Sequence, residues 1–389
     1  MVQETSPPGP QLLLARRTVG GRCGREVPPR RAANRDPTAM ALTDTALQLT
    51  EANRALACWD LQVAENQVAP GSGTANASVI LRTPCGRLLL KRRNPRYSNQ
   101  QWVCFDHALM EHLHARALPT PLAIPTTQGR RWARVDDTVY ELYPFMEGEE
   151  HSAGHVGQIM NAGEMLARFQ EATASFDPPS DKQWERYHSP AKIAEGLDKL
   201  SVTRPISLNE MEALTFASRT ARELLERVPD DAYWALPQTI VHGDYHPANL
   251  KFRGDRVAGV FDLDWCTRQP RMVDLADGLL FFCGRRAQPV IPGDIWSLTQ
   301  GFEMDADLVL CFGSAYASVV TPRERELRAL PDLMRCRWLY CRVDAMQRKV
   351  APARQLEFLV RDLLPPLRWL DRFETRIADG TLLGLRPAR

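Results

Sequence analysis

The residues with the clearest chemical potential lie in two short stretches near the middle of the chain. The first stretch, IVHGDYHPANLKF at residues 240–252, contains Asp244 and Asn249. The second, AGVFDLDW at residues 258–265, places Asp262 thirteen residues after Asn249. Carboxylates, an amide and histidines between apolar runs are open to three interpretations: a metal-hydrolase cluster, a phosphate-transfer site, or a polar turn between two strands.

The strand-like runs around these residues would bring them together. Asp244 and Asn249 follow the run QTIVHGD, Asp262 ends the run RVAGVFDLDW, and a turn at Gly254 and Asp255 joins the two. A hairpin brings the loop before its first strand close to the end of its second. Phosphoryl transfer requires oxygen ligands for a hard cation such as Mg²⁺ and a carboxylate that orients the attacking hydroxyl. The three residues supply that set.

Two kinds of periodicity divide the rest of the chain. The runs ASVILRT, GRLLLKRR and DTVYELYPF read as strands, and FDHALMEHLHARAL between the second and third reads as a helix. Beyond MEGEE the pattern becomes mainly helical. The sequence therefore predicts an α+β, two-lobed chain: a small antiparallel β lobe with one inserted helix at residues 41–147, and a larger, mainly helical lobe at residues 148–389.

Two of the predicted helices have recognisable first turns. Ser207 and Glu210 form a capping box before one amphipathic run. Before a later run, Thr321 is predicted as the cap residue and Glu324 as its partner. Pro331 is expected to kink or divide that later helix, because proline removes a helical hydrogen bond.

Composition restricts the function classes. The chain has 389 residues, of which 44% are hydrophobic, and a net charge of +2, which predicts a globular protein and gives no indication of nucleic-acid binding. No apolar run approaches the roughly 20 residues of a membrane span, so no membrane partner is expected. Nine cysteines without a C-x-x-C pair are typical of reduced thiols in a cytoplasmic protein. Residues 1–40, rich in Pro, Gly and Arg, are predicted to be a disordered extension.

The motif pair VHGDYHPANL and VFDLDW resembles the paired motifs of the aminoglycoside phosphotransferase and choline kinase family, which includes type II homoserine kinases. The resemblance extends from about Val68 to Gly278. It implies a bilobal protein-kinase-like fold and ATP-dependent phosphorylation of a hydroxyl group on a small molecule, with ATP and Mg²⁺ as the cofactors.

The resemblance also assigns roles to residues of the larger lobe. Asp244 resembles the catalytic carboxylate that accepts the hydroxyl proton, and Asn249 and Asp262 resemble the Mg²⁺ ligands. His242 resembles a histidine that supports the loop, and Asp264 is the second acid of the D-x-D half. In MVDLADGL, Asp274 is expected to organise backbone near the loop.

The ATP-binding residues are expected in the small lobe. Lys91, in the middle of a strand, resembles the lysine that contacts the α- and β-phosphates, and Glu111 resembles its ion-pair partner. Backbone groups around Glu141 to Tyr143 are expected to meet adenine. The remaining group is the loop proposed to cover the phosphates: Gly71, Ser72 and Gly73.

Three questions stay open. His242, Asp244 and His246 on an extended segment could present two imidazoles to Zn²⁺ in a hydrolase. A non-catalytic nucleotide-binding scaffold would predict loss of Asp244 or Asp262, and both are present. A third question concerns aromatic and acidic residues that could line a pocket for a cationic substrate but at helical spacing are more often core: Trp338, Tyr340 and Asp344.

Overall fold

The computed structural model describes residues 47–71, 76–200, 202, 204–288, 291 and 294–385. The predicted N-terminal extension and two residues of the glycine loop, Ser72 and Gly73, lie outside this part of the chain. All described residues fall in one compact unit. No helix among them is long and apolar enough to cross a membrane.

The first part of the fold is a five-stranded antiparallel sheet with the predicted inserted helix. The strand order is β1-β2-β3-β5-β4. One further helix, α1, precedes the sheet and was not predicted. The elements are α1 (Leu49–Leu56), β1 (Val68–Pro70), β2 (Ala77–Thr83), β3 (Gly86–Arg92), α2 (Gln100–Ala115), β4 (Ala133–Val135) and β5 (Thr138–Pro144).

The two faces of this sheet have different partners. On one face, Val79, Leu90 and Leu142 are buried in a small apolar cluster with α1. Because side chains alternate along a strand, Lys91 beside Leu90 points to the opposite face. The strand therefore directs Lys91 away from the apolar cluster and toward the helical part of the molecule, where its ionic partners lie.

The second part is mainly helical, as predicted, and holds the larger hydrophobic core. Its helices are α3 (Val156–Thr173), α4 (Pro190–Asp198), α5 (Leu208–Arg227), α6 (Asp230–Trp234), α7 (Met272–Phe282), α8 (Ile295–Leu298), α9 (Ala306–Ala317), α10 (Glu324–Lys349), α11 (Gln355–Val360) and α12 (Leu364–Ala378). Its strands are β6 (Gln238–Val241), β7 (Leu250–Arg253), β8 (Arg256–Val260), β9 (Thr267–Pro270), β10 (Gly284–Arg285) and β11 (Glu303–Met304). The position of a lobe boundary at residue 147 stays a prediction.

The strand pairing around the polar cluster corrects the predicted hairpin. β7 pairs with β8 through the turn at Gly254 and Asp255, whereas β6 pairs with β9. The predicted pair of runs is therefore split over two small antiparallel sheets. The loop that carries Asp244 connects β6 to β7, and Asp262 follows β8, so both sheets are needed to bring these residues together.

The first turn of α5 is as predicted, and that of α10 is not. Ser207 and Glu210 form the expected capping box. α10 begins at Glu324, and the Arg323 backbone N–H donates to the Glu326 carboxylate at 2.8 Å. Glu326 is fixed there because it is buried and paired with Arg271. α10 also continues through Pro331, which neither divides nor ends it, because its neighbours are held in the core.

A network of buried charges joins the sheet, α2 and the helical part. Arg93, just after β3, donates to Glu141 on β5 at 2.8 Å and to Asp106 on α2 at 2.6 Å. Lys182 donates to Asp106 at 2.5 Å and to the backbone carbonyl of Asp264 at 2.7 Å. All four charged side chains of this network are fully buried. The network therefore fixes the sheet against the segment that carries Asp262 and Asp264.

Removing one charge from this network should destabilise the protein strongly. Asp106→Asn leaves the buried Arg93 and Lys182 without their shared carboxylate, and we expect a loss of about 3 kcal/mol or more in the free energy of unfolding. The matched control is Glu111→Gln on the same helix, where the acid is half exposed and pairs with Arg131. We expect about 1 kcal/mol or less there. Urea denaturation followed by tryptophan fluorescence measures both, and equal losses would contradict the assignment.

Candidate active site

The loop after β6 is held by backbone hydrogen bonds to one buried carboxylate. The backbone N–H groups of His242 and Gly243 donate to Asp274 on α7 at 2.7 and 2.8 Å. Gly243 has φ +81°, and a Cβ there would lie 2.8 Å from the carbonyl oxygen of Trp265. A glycine is required at this turn for both reasons. Asp274 therefore organises the loop backbone, as predicted.

His242 supports the same loop from inside the protein. Its Nε2 lies 2.9 Å from the Phe261 carbonyl oxygen, and the Asp244 backbone N–H donates to its Nδ1 at 3.3 Å. Burial lowers the pKa of His242 to about 4, against the opposing influence of Asp244. The ring is therefore neutral near pH 7, with the proton on Nε2, and both nitrogens are occupied by the backbone.

Asp244 lies at the centre of a ring of donors. Its Oδ1 accepts from Arg337 Nη2 at 3.0 Å, and its Oδ2 lies 3.2 Å from His246 Nε2. The amide nitrogen of Asn249 donates to the Asp244 carbonyl oxygen at 2.9 Å. Burial alone would raise the pKa of Asp244, but His246 and Arg337 outweigh it and hold the pKa well below its usual range. The carboxylate is ionised and oriented.

Asn249 and Asp262 are brought together by the β7–β8 pair. The Phe261 backbone N–H donates to the Asn249 carbonyl oxygen at 2.9 Å, which places Asp262 next to this contact. Asp262 has a left-handed backbone with φ +61°, a conformation that costs energy in a non-glycine residue and is often found at functional sites.

These two residues fit a hard divalent cation. The Oδ1 of Asp262 is buried and has no hydrogen-bond partner among the described residues. Because Asn249 uses its amide nitrogen on Asp244, its amide oxygen is the atom left for coordination. In the described ranges no group of three or more His, Cys, Asp or Glu side chains is arranged as a metal site. A cation held here would need further oxygen ligands from a bound substrate or water.

Burial and the neighbouring acids Asp264 and Asp244 raise the pKa of Asp262 to about 6, although Lys91 acts in the opposite direction. The concentration of negative charge favours binding of a cation, and without a cation it destabilises the ionised carboxylates.

Lys91 reaches the same place from the sheet. Its Nζ lies 3.0 and 2.9 Å from the two oxygens of Asp264 and 3.6 Å from Asp262. Asp264 also accepts from Asn76 at 2.8 Å and lies 3.2 Å from Arg93. Both Asp264 oxygens are thus occupied, which favours a supporting function for Asp264 over metal coordination.

The predicted ion pair between Lys91 and Glu111 is wrong. Glu111 lies on the outer face of α2, where its half-exposed carboxylate pairs with Arg131. The acid of α2 that faces the sheet is Asp106, and it binds Arg93. Residues five positions apart on a helix lie on different faces, so Asp106 and Glu111 cannot both point at the sheet. Lys91 is held by Asp264 instead.

The predicted adenine-binding segment lies on β5. The Glu141 side chain is buried, accepts from Arg93, and also accepts from the Tyr143 hydroxyl at 2.9 Å. The Leu142 carbonyl accepts from the Ile124 N–H at 2.7 Å. Of the glycine loop, Gly71 is described, and its N–H donates to the Ser78 carbonyl at 3.0 Å. The nucleotide-binding functions of these residues stay predictions.

Two residues of the site were not predicted. Arg337, on α10, contacts Asp244, and its Nε lies 2.8 Å from Oδ1 of the fully buried Asp277 on α7. Asp277 follows Asp274 in the MVDLADGL motif, and this motif was the one available signal. Arg337 gave none, because α10 carries many arginines and only the tertiary fold selects one of them.

The three predicted pocket residues of α10 differ in position. Trp338 is fully buried, its indole N–H donates to the Leu363 carbonyl at 2.9 Å, and its ring packs on Phe302, so it belongs to the core. Of the two positions left open for Trp338, pocket or core, the structure has the core. Tyr340 is partly buried with its ring 5.5 Å from that of His188. Asp344 pairs with Arg348.

The zinc alternative finds no support in this geometry. His242 is fully buried with both ring nitrogens engaged by the backbone. His246 Nε2 lies against Asp244, and its Nδ1 accepts from the Ala248 N–H at 3.2 Å. The two imidazoles are therefore committed to separate contacts.

Comparison with known proteins decides the family. The sequence model of the APH phosphotransferase enzyme family matches residues 66–296, which is more than half of the chain. The chain belongs to this family. The match includes Lys91 and the whole cluster from His242 to Asp277.

Relatives of this APH-family chain are kinases that phosphorylate hydroxyl groups, and so is this enzyme. A homoserine kinase from Beijerinckia indica is 26% identical over 261 residues, covering 62% of this chain and 77% of its own length. One from Sinorhizobium medicae is 25% identical over 286 residues, covering 72% and 79%.

The chain shares a protein-kinase-like, two-lobed α+β fold with several solved structures. A microcompartment-associated aminopropanol kinase has a TM-score of 0.60 and 16% identity, covering 85% of this chain and 100% of its own. An aminoglycoside phosphotransferase from Alicyclobacillus acidocaldarius has a TM-score of 0.58 and 18% identity, covering 85% and 96%. At these identities the likeness shows the fold.

In this kinase, loss of the Asp264 carboxylate should weaken nucleotide binding. Asp264→Asn removes the acceptor that holds Lys91 in place, and we expect the dissociation constant for ATP to rise by about tenfold or more, because charged hydrogen bonds contribute about 1.5–3 kcal/mol. Titration with a fluorescent ATP analogue measures it. Glu111→Gln is the control and should leave the affinity unchanged; a loss in that variant equal to the loss in Asp264→Asn would restore Glu111 as the partner.

Proposed function

We propose that this protein transfers the γ-phosphoryl group of ATP to a hydroxyl group of a small metabolite, with Asp244 as the catalytic base and Mg²⁺ as the metal. The observation that carries the proposal is the convergence of three elements: Lys91 from the sheet, Asp262 after β8, and Asp244 and Asn249 on the loop between β6 and β7. That convergence supports phosphoryl transfer, because the reaction depends mainly on positioning and charge.

Asp244 binds the acceptor hydroxyl and accepts its proton. Arg337 holds the carboxylate, and the Asn249 side-chain amide holds the Asp244 backbone carbonyl, so the proton acceptor is fixed before the substrate arrives. A base with a low pKa suits this reaction if proton transfer comes late, when the hydroxyl has already become acidic.

Asn249 and Asp262 would hold the cation through one amide and one carboxylate oxygen. When bound, Mg²⁺ supplies charge neutralisation and fixes the phosphate oxygens. Lys91 adds a positive charge on the side of the sheet and is kept ionised, because Asp264 and Asp262 raise its pKa against the effect of burial. One solved neighbour, an amicoumacin kinase, was determined with AMP-PNP and Ca²⁺, which agrees with a nucleotide and a divalent cation in this fold.

The acceptor class follows from the relatives alone. The homoserine kinases are named for a small amino acid that carries a hydroxyl group. L-Homoserine is therefore the first acceptor to test, beside aminoglycosides, choline and sugars. ADP production from Mg·ATP in the presence of each compound tests the proposal, and turnover with none of these classes would contradict it.

Removing the proposed base should stop transfer without affecting nucleotide binding. We expect Asp244→Asn to lower kcat by at least about 100-fold, the range of a positioned general base. The dissociation constant for Mg·ATP should change less than about threefold, because Asp244 faces the acceptor and not the phosphates. Steady-state kinetics and nucleotide titration give both values, and unchanged transfer in the variant would exclude Asp244 as the base.

Loss of a proposed metal ligand should have the opposite pattern. Asp262→Asn is expected to lower ATP affinity in the presence of Mg²⁺ by about tenfold or more and to leave the weak metal-free affinity unchanged. Isothermal titration calorimetry with and without EDTA measures the metal-free affinity and the Mg²⁺-dependent affinity separately. If the Mg²⁺-dependent gain in affinity survives the substitution, Asp262 is not a ligand.

A further inference from the structure

A second arginine, Arg286, has no counter-ion among the residues that the structure describes. It follows β10 directly, and its guanidinium stacks on the Phe302 ring, with the central carbon 5.1 Å from the ring centre. Its Nε is buried and has no hydrogen-bond partner in the part of the chain that the structure describes. No carboxylate within those residues forms an ion pair with it. Burial lowers the pKa of Arg286, and the neighbouring thiol of Cys341 offsets this effect only in part.

Two aromatic rings connect Arg286 to the residues around Asp244. The Phe302 ring lies 6.5 Å from the Phe281 ring. Phe281 in turn lies under the guanidinium of Arg337, 5.0 Å away, and 6.2 Å from the ring of His246. Both Arg337 and His246 contact Asp244. Cys341 lies close enough to Arg286 and Arg337 to influence the pKa of each. A chain of packed side chains, Phe302, Phe281 and Arg337, therefore leads from Arg286 to Asp244, and none of the three belongs to the sheet that carries Lys91.

Other arginines of the molecule show how unusual this is. Arg337 is compensated by Asp244 and Asp277. Arg342 is buried without an acid, but it donates to the backbone carbonyls of Leu359 and Phe358 and so has a structural use. Arg285, next to Arg286, is exposed and pairs with Asp305 at 2.6 Å. Arg286 is partly buried, so its charge is incompletely solvated and has no counter-ion among the described residues. A ligand that supplies an anion there would form charge-assisted hydrogen bonds.

We propose that Arg286 binds a carboxylate of the acceptor, so that this kinase selects hydroxy acids or hydroxy amino acids over cationic amino alcohols. The guanidinium fork matches a carboxylate through two parallel hydrogen bonds. Arg286 connects to Asp244 through Phe302, Phe281 and Arg337, whereas Lys91 meets Asp262 and Asp264 from the sheet, so the proposal assigns the carboxylate and the phosphates to different groups. The inference rests on the proposed function and names the acceptor class for the same site.

The test compares acceptors that differ only by the carboxylate. L-Homoserine and 3-aminopropan-1-ol form one such pair, and 4-hydroxybutanoate and propan-1-ol form another. For the wild type we expect kcat/KM to be at least about 100-fold higher for the acid of a pair. In Arg286→Gln, KM for the acid should rise by about 10- to 100-fold with kcat changed little, and the values for the carboxylate-free partner should not change.

Two further variants separate recognition from packing. Arg286→Lys keeps the charge and should recover part of the lost affinity for the acid. Arg285→Gln removes an exposed neighbour and should behave as the wild type. Equal losses for both members of a pair in Arg286→Gln would indicate a structural function for Arg286, and a raised KM for ATP would place the anion among the phosphates. Either result overturns the inference.

Failure of this inference is distinguishable from failure of the proposed function. Transfer to carboxylate-free acceptors, with none to the acids, contradicts the anionic acceptor and leaves the kinase reaction in place. Absence of ATP-dependent transfer to every acceptor class contradicts the proposed function itself.

Discussion

The organisation of the site depends on one shared carboxylate, that of Asp264. Its two oxygens hold Lys91 from the sheet, and Arg93 and Asn76 bind the same group. Its backbone carbonyl accepts from Lys182, which is tied to α2 through Asp106. Because Asp262 is two residues away on the same turn, every contact that fixes Asp264 also sets the distance between Lys91 and the proposed metal ligand.

A second buried acid does for the loop what Asp264 does for the sheet. Asp274 accepts two consecutive backbone N–H groups, from His242 and Gly243, and so determines the direction in which Asp244 leaves the loop. Burial raises the pKa of Asp274 to about 6 while those two bonds act to lower it. This loop is therefore held by neutral backbone donors, and the side chains of Arg337 and His246 remain for the Asp244 carboxylate.

The chemistry of the site could be predicted from sequence to the extent that it is local. Asp244, Asn249 and Asp262 are separated by one short strand pair, and the run GRLLLKRR was sufficient to place Lys91 in the middle of a strand. Glu111 was misassigned because the sequence does not give the rotation of α2 about its axis. It therefore does not show which acid of α2 faces the sheet.

Contacts across the fold were beyond the sequence patterns. The pairing of β6 with β9 was missed because each has four residues, too few to favour one partner over another. Arg337 is distant in sequence from Asp244, and only tertiary packing brings the two together. Trp338 was left open for the same reason: helical spacing favours a core position for an aromatic residue but does not exclude a pocket.

The central claim, that Asp264 positions Lys91 for the nucleotide, is tested most directly by a double-mutant cycle. ATP affinity is measured for the wild type, Lys91→Met, Asp264→Asn and the double variant. The account predicts that the double variant binds ATP about as well as Lys91→Met alone, which corresponds to a coupling energy of about 1–3 kcal/mol. Additive losses in the double variant would show that the two residues act independently and would contradict the claim.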